Sequence, residues 1–342
     1  RYYEQRVPSS CRLLFQGADA LINSARKIAA PESSHNKRPS HCRGAVHFML
    51  HGGKPGLQVA TAVLPGSALA PKMESTVDPP MPRRLTLDVK TLTSLFRLQG
   101  PSLGLWRAAE IAVFKQCELS RPILDLGCGD GLVSSMVFEH LEAGLDPDRE
   151  ALSKAEQLGI YGELENASVE QSKLPEDYFA TIISNSVLEH IRDLKPVLGK
   201  AWALLQPGGR LVFTVPTEQF SKWLALPSAR YSAWRNRQLS HLNLWSESRW
   251  QQTLKQSGFE MAEVRPYLKR RLVVAWDLLE LAQQPNLARR RLFGIFWRRL
   301  PAAVVECLAR AVSRLDLASP APGGGRLIVA HKAVWHARPR LS

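Results

Sequence analysis

The chain has 342 residues, 45% of them hydrophobic and 22% charged, a composition that suits globular material in one large domain or two medium ones. No apolar run approaches the roughly 18–20 residues of a membrane-spanning helix, and five scattered cysteines without ligand or disulfide-framework spacing point to a reducing cytoplasm. The net charge of +14 is unevenly spread: residues 1–81 carry 10 basic and 5 acidic side chains, residues 82–266 carry 21 and 22, and residues 267–342 carry 14 and 4. The centre is therefore neutral, and any acidic partner must be sought by the last quarter.

Residues 1–81 read as mostly irregular, with a polar, basic stretch at 33–44 and a proline-rich one at 65–82. The first residues lack the charged-then-apolar layout of a secretory leader, and Met73 is the expected natural start. Helical periodicity follows at 85–98 and 103–117. From Arg121 short apolar runs at 123–126, 143–145, 181–184, 211–215, 262–264 and 327–330 alternate with amphipathic stretches. Such alternation predicts an α/β domain over 82–342, a parallel sheet covered by helices on both faces, with ligands at the carboxyl ends of the strands.

The first run leads directly into Asp125-Leu126-Gly127-Cys128-Gly129-Asp130-Gly131, with a helix expected from Leu132. Glycines at alternate positions make a turn on which a ligand can lie against bare backbone. The spacing differs from the G-x-G-x-x-G that aims a helix N-terminus at a pyrophosphate. Asp146, at the end of the second run before Pro147, has two readings. A carboxylate there accepts both hydroxyls of a ribose, or it caps the next helix.

Ile123 to Gly131 (ILDLGCGDG) resembles the first motif of class I S-adenosylmethionine-dependent methyltransferases. Gly144 to Asp146, Leu174-Pro175 with Tyr178-Phe179, Ser184 to Ile191 (SNSVLEHI) and Leu205 to Gly209 (LQPGG) resemble four further motifs, in family order. One departure is visible: Ala180 stands where the family usually has Asp. The resemblance implies a Rossmann-like seven-stranded sheet, mostly parallel with the last strand antiparallel, and S-adenosylmethionine as cofactor. It assigns Asp125 to the ammonium side, Gly127, Cys128, Gly129 and Gly131 to the floor, Asp146 and Pro147 to the ribose, Glu170 and Gln171 to the adenine, and Ser184 and Asn185 to the methionine moiety. Arg107, on the helix before the first strand, is a candidate for the cofactor carboxylate or else a partner of Glu110 one turn on. Cys128 is read as a small residue that fits, without a thiol role.

His190 is the candidate base for the acceptor proton, with a structural loop histidine as its rival. Quinone-type O-methyltransferases carry acids beside this motif that bring a divalent ion; Ser186, Val187 and Leu188 stand here instead, so no metal is expected. Two insertions are expected to set the acceptor. Residues 217–245 hold Phe220, Trp223, Tyr231, Trp234, His241 and Trp245, either a cap over an acceptor pocket or plain packing. Residues 266–323 are helical and basic. There Arg289, Arg290, Arg291, Arg298 and Arg299 lie among bulky apolar residues, as in a helix in the headgroup layer of an anionic membrane, or as a packed helix with solvated arginines.

The expected function is methyl transfer to a small-molecule or lipid-linked acceptor, at a hydroxyl rather than an amine. The alternatives are an RNA or protein methyltransferase gripping its substrate with the basic region, and a non-catalytic binding module. Nucleic acid is disfavoured because no known RNA-binding module appears.

Overall fold

A computed structural model describes residues 84–333 except 285, 288 and 289. The irregular segment expected at 1–81 lies outside the described residues. Arg289 does too, and of Arg290 and Arg291 only the backbone is described.

Two helices precede the sheet. Helix α1 (Val89–Gln99) starts at Asp88, whose carboxylate accepts the Thr91 amide at 2.9 Å. Gly100 (φ 77°) ends it, and Pro101 opens α2 (Pro101–Phe114), where a missing amide hydrogen costs nothing. The strands of the main sheet are β1 (Ile123–Leu126), β2 (Leu141–Leu145), β3 (Tyr161–Glu165), β4 (Phe179–Asn185), β5 (Leu205–Pro216), β6 (Phe259–Tyr267) and β7 (Gly325–Lys332). They form one sheet in the order β3-β2-β1-β4-β5-β7-β6. Pairings from β3 across to β5 are parallel, and β7 runs antiparallel to both β5 and β6. After β1 the chain moves outward one way, and after β4 it moves the other way. The carboxyl ends of β1 and β4 therefore flank the crevice where open α/β sheets bind ligands.

The connecting helices are α3 (Leu132–Ser135), α4 (Arg149–Leu158), α5 (Leu194–Leu204), α6 (Ala229–Leu239), α7 (Glu247–Gln256), α8 (Arg270–Ala282), α9 (Leu292–Arg299) and α10 (Ala302–Ser313). Helical insertions thus follow β5 and β6, as expected. Helix α3 is a single turn, shorter than the sequence implied.

Adjacent strand residues face opposite layers: Ile123 packs with the cluster of Phe96, Ile111 and Trp276, while Leu124 joins Leu198, Phe213 and Trp250. Helices α1, α2, α8 and α10 cover the first face, α5 and α7 the second. The α6 insertion is fastened to α8 by a fully buried ion pair, Arg235 to Asp277 at 2.8 Å, with the Tyr231 hydroxyl donating to the same carboxylate. No helix among the described residues is long and apolar enough to cross a membrane.

Candidate active site

A cavity of about 350 Å³ opens at the β1/β4 crevice. Its floor is the turn after β1. The Gly127 and Cys128 amides donate to Leu145 O at 2.7 and 3.1 Å, which folds the turn against the end of β2. A Cβ on Gly127 would lie 2.5 Å from the Val187 side chain, so the close approach of the β1 and β4 turns requires glycine there. Gly129 has φ 56°, and a Cβ on it would meet nothing within 4 Å; its bare face looks into open space.

Asp146 stands at the cavity edge. Its Oδ2 accepts the Gly129 amide at 2.9 Å and its Oδ1 the Asp148 amide at 2.8 Å, so the carboxylate ties the two turns together. The helix-cap reading of Asp146 is corrected: the cap of α4 is Asp148, which accepts the Glu150 and Ala151 amides. Burial raises the Asp146 pKa, and the backbone bonds oppose that rise.

Asp125 is fully buried, and burial pushes it up to about 6 even though Ser134 and Tyr161 donate to its Oδ2 at 2.5 and 2.7 Å. Desolvation also raises the Cys128 thiol well above its ordinary range, so the thiol stays protonated.

Of the residues expected at the site, Arg107, Asp125, Gly127, Cys128, Gly129, Asp146, Pro147, Glu170, Asn185 and His190 line the cavity. Gly131, Gln171 and Ser184 do not. Gly131 turns toward the Tyr161 ring and caps α3 in a left-handed conformation. Gln171 is exposed at the end of a single 3-10 turn. Ser184 is buried and donates to Leu126 O at 2.9 Å, which locks β4 to β1.

Glu110, legible in the sequence only as a helical partner of Arg107, takes a larger part in the structure. It is fully buried on the otherwise apolar α2, and its carboxylate accepts from Trp106 Nε1 at 2.9 Å, Arg107 at 2.7 Å, Asn185 Nδ2 at 3.1 Å and the Ser186 hydroxyl. It thereby couples Arg107 to the end of β4. The Arg107 Nε is buried without a hydrogen-bond partner, as is Gln99 Oε1 on the same cavity wall.

His190 sits on a 3-10 turn (Leu188–His190) that is clamped from the α6 insertion. Leu242 and Asn243 donate backbone amides to Glu189 O, and Asn243 Nδ2 donates to Leu188 O and Ile191 O at 2.8 and 2.6 Å. His190 Nδ1 lies 3.0 Å from Ser240 O. A carbonyl only accepts, so Nδ1 carries the proton and Nε2 presents its lone pair. Desolvation lowers the His190 pKa, which keeps the ring neutral.

Of the six insertion aromatics, none lines the cavity. Phe220 packs edge-on against Trp106 and His241, His241 lies 5.5 Å from the His190 ring, and Trp245 packs on Trp250. Trp234 is partly exposed. Packing thus accounts for most of this set, and His241 is the member whose ring packs near His190.

The profile of the family described as "Methyltransferase domain" matches residues 104–264, which hold β1 to β5, the cavity floor and His190. The chain carries a class I S-adenosylmethionine-dependent methyltransferase domain. An uncharacterized methyltransferase of Mycobacterium tuberculosis is 28% identical over 127 residues, 36% of this chain and 57% of the relative. A ubiquinone biosynthesis O-methyltransferase of Coxiella burnetii is 27% identical over 143 residues, 37% of this chain and 61% of the relative. The chain thus spans about three fifths of the length of these curated relatives. The crystal structure of an S-adenosylmethionine-dependent methyltransferase from Thermotoga maritima superposes with a TM-score of 0.46 at 13% identity, over 70% of this chain and 99% of that one.

S-adenosylmethionine is the cofactor of this methyltransferase domain. The cavity fits it on three observations: the bare Gly129 face, the carboxylates of Asp125 and Asp146 on the lining, and the unpartnered Arg107 Nε.

Proposed function

We propose that the chain transfers a methyl group from S-adenosylmethionine to a hydroxyl of a small-molecule acceptor. The observation that carries this reading is the joining of a glycine-floored cavity with the neutral His190 on its wall. The cofactor, when bound, supplies a methyl group already activated on a sulfonium. Asp146 would hold the ribose hydroxyls, Asp125 the ammonium side and Arg107 the carboxylate, with Glu110 fixing the direction of Arg107. Pro147 and Glu170 belong to the ribose and adenine end. Asn185 is held at the methionine end by Glu110 and Thr214. His190 Nε2 would take the proton of an acceptor hydroxyl as the methyl is transferred. The rest is alignment and exclusion of water.

A lipid-linked acceptor is favoured by a second surface. Helix α10 buries Val305 and Ala309 against the core, while Val304 and Leu308 on it and Leu315 just beyond its end remain exposed. Phe296 on α9 is 62% exposed, with the exposed Arg298 and Arg299 close in the chain. Arginines beside bulky exposed apolar residues suit an anionic headgroup layer.

The test is an acceptor screen with a labelled methyl donor. Label entering phenolic or other hydroxyl compounds, more efficiently when these carry an apolar tail, supports the reading. Label entering only RNA or protein overturns the acceptor class, and no label in any acceptor, with cofactor binding intact, leaves a binding module.

A further inference from the structure

Helix α1 packs through one stripe. Its buried residues are Leu92, Leu95, Phe96 and Gln99, spaced as the core-facing side of a helix. Three are apolar. The fourth is a glutamine, 7% exposed, that lines the cavity and whose Oε1 has no hydrogen-bond partner. We propose that Gln99 is a specificity residue for the acceptor, forming a hydrogen bond with a neutral oxygen other than the one that is methylated. This rests on the methyl-transfer reading and extends it to the structure of the acceptor.

The argument starts from the amide. Burying an amide is costly unless it is paired, and plain packing at this position would be met by leucine or methionine. In the methyl-transfer reading Asp146, Asp125, Arg107 and Glu170 already serve the ribose, the ammonium, the carboxylate and the adenine. No cofactor group is left for Gln99, so its partner arrives with the second substrate.

The amide also selects the chemistry. Its oxygen accepts, its NH2 donates, and a half-turn about the last bond exchanges them. A hydroxyl meets either orientation, and a carbonyl meets the NH2. Among the described residues that line the cavity, Arg107 is the one cation, and the cofactor carboxylate takes it. An anionic group on the acceptor would lack a counter-charge, so the recognised oxygen is neutral.

Gln99 is held in place from the insertions. Gly100 ends α1 with its amide donating to Phe96 O at 3.0 Å, and Trp297 Nε1 of α9 donates to the same carbonyl at 2.7 Å. Just after the turn, Ser102 Oγ donates to Glu280 Oε1 of α8 and accepts from Gln283 Nε2 at its end, both at 2.5 Å. Helix α8 is joined to α6 by the Arg235–Asp277 pair and by Gln238 donating to Gln284. The segment after α6 clamps the turn that bears His190. One framework of insertions thus fixes both His190 and Gln99. Its aromatics stay out of the cavity, and it acts on the acceptor through these two residues.

The test uses the full chain, S-adenosylmethionine and three matched phenols: 4-hexylphenol, 4-hexylcatechol and 4-hexylresorcinol. They differ in the presence and place of a second hydroxyl. The parent should favour one dihydroxy compound over 4-hexylphenol by at least about tenfold in kcat/KM. Gln99→Met, similar in length and without the amide, should lose that preference, with S-adenosylhomocysteine affinity as in the parent. Its Tm should equal or exceed the parent's, because an unpaired buried amide is gone. Gln99→Asn, shorter by one carbon, should lose the preference too, and it decides if the methionine variant does not fold. Equal transfer to all three compounds by the parent overturns the proposal and leaves the methyl-transfer reading standing. A preference that survives both substitutions overturns it as well. Loss of S-adenosylhomocysteine binding in a folded variant places Gln99 on the cofactor instead. No transfer to any of the three, by a parent that binds S-adenosylhomocysteine, overturns the phenolic acceptor and this proposal together.

Discussion

Replacing Glu110 by glutamine tests whether a buried carboxylate on α2 organises the methionine end of the cavity. Its Oε1 accepts from Trp106 and Ser186, and an amide oxygen preserves both bonds. Its Oε2 accepts from Arg107 and Asn185, and an amide NH2 placed there faces two donors. Two bonds to a charged acceptor are lost, each contributing about 1.5–3 kcal/mol. The Arg107 side chain is 23% exposed, so water recovers part of that loss. The net cost should be about 3–4 kcal/mol, in the range for breaking a buried pair from one side. Urea unfolding should show a lower midpoint at unchanged slope. Adding Arg107→Gln should recover at least about 1 kcal/mol, because the unpaired cation is then gone. A single variant within about 1 kcal/mol of the parent, or strictly additive losses, would refute the coupling.

Three further outcomes follow from the same geometry. Gly129→Val should abolish S-adenosylhomocysteine binding in calorimetry while the fold persists, because its left-handed backbone costs only about 1–2 kcal/mol and the side chain enters open cavity; parent-like binding would remove Gly129 from the floor. Cofactor affinity should be flat above pH 7 and fall below about pH 6, approaching tenfold per unit, since Asp125 titrates near 6 when free and a bound ammonium lowers that value, so binding to the protonated form must release a proton. Equal affinities at pH 7 and pH 5 would separate Asp125 from the ammonium. Removing residues 1–81, whose composition cannot bury a core of its own, should leave cooperative unfolding and cofactor binding unchanged; loss of either shows that the segment packs on the domain.

What was legible in the sequence follows from burial. Strands β1, β4 and β5 are buried on both faces, so their apolar runs stand out, and the glycine turn after β1 announces a ligand through backbone geometry alone. Strand β3 is not legible in the sequence, because Tyr161-Gly-Glu-Leu-Glu165 is an edge strand, half exposed, with no apolar run. Glu110 is legible only as a helical partner of Arg107. Its links to Asn185 and Ser186 span 75 and 76 residues, and no local pattern encodes them. A lone acid among apolar residues on α2 was the available signal. In the sequence His241 is one aromatic among six; the clamp between residues 240–243 and the turn at Glu189 brings it to His190.

The most direct measurement is calorimetric binding of S-adenosylmethionine to the parent chain and to Asp146→Ala. Loss of a pair of charge-assisted bonds to the ribose should weaken binding by about 2–3 kcal/mol, roughly 30- to 150-fold. Because Asp146 also holds the Gly129 and Asp148 amides, Asp146→Asn, which keeps an acceptor there, should bind more tightly than the alanine variant. No binding to the parent, or equal binding by parent and Asp146→Ala, contradicts the account.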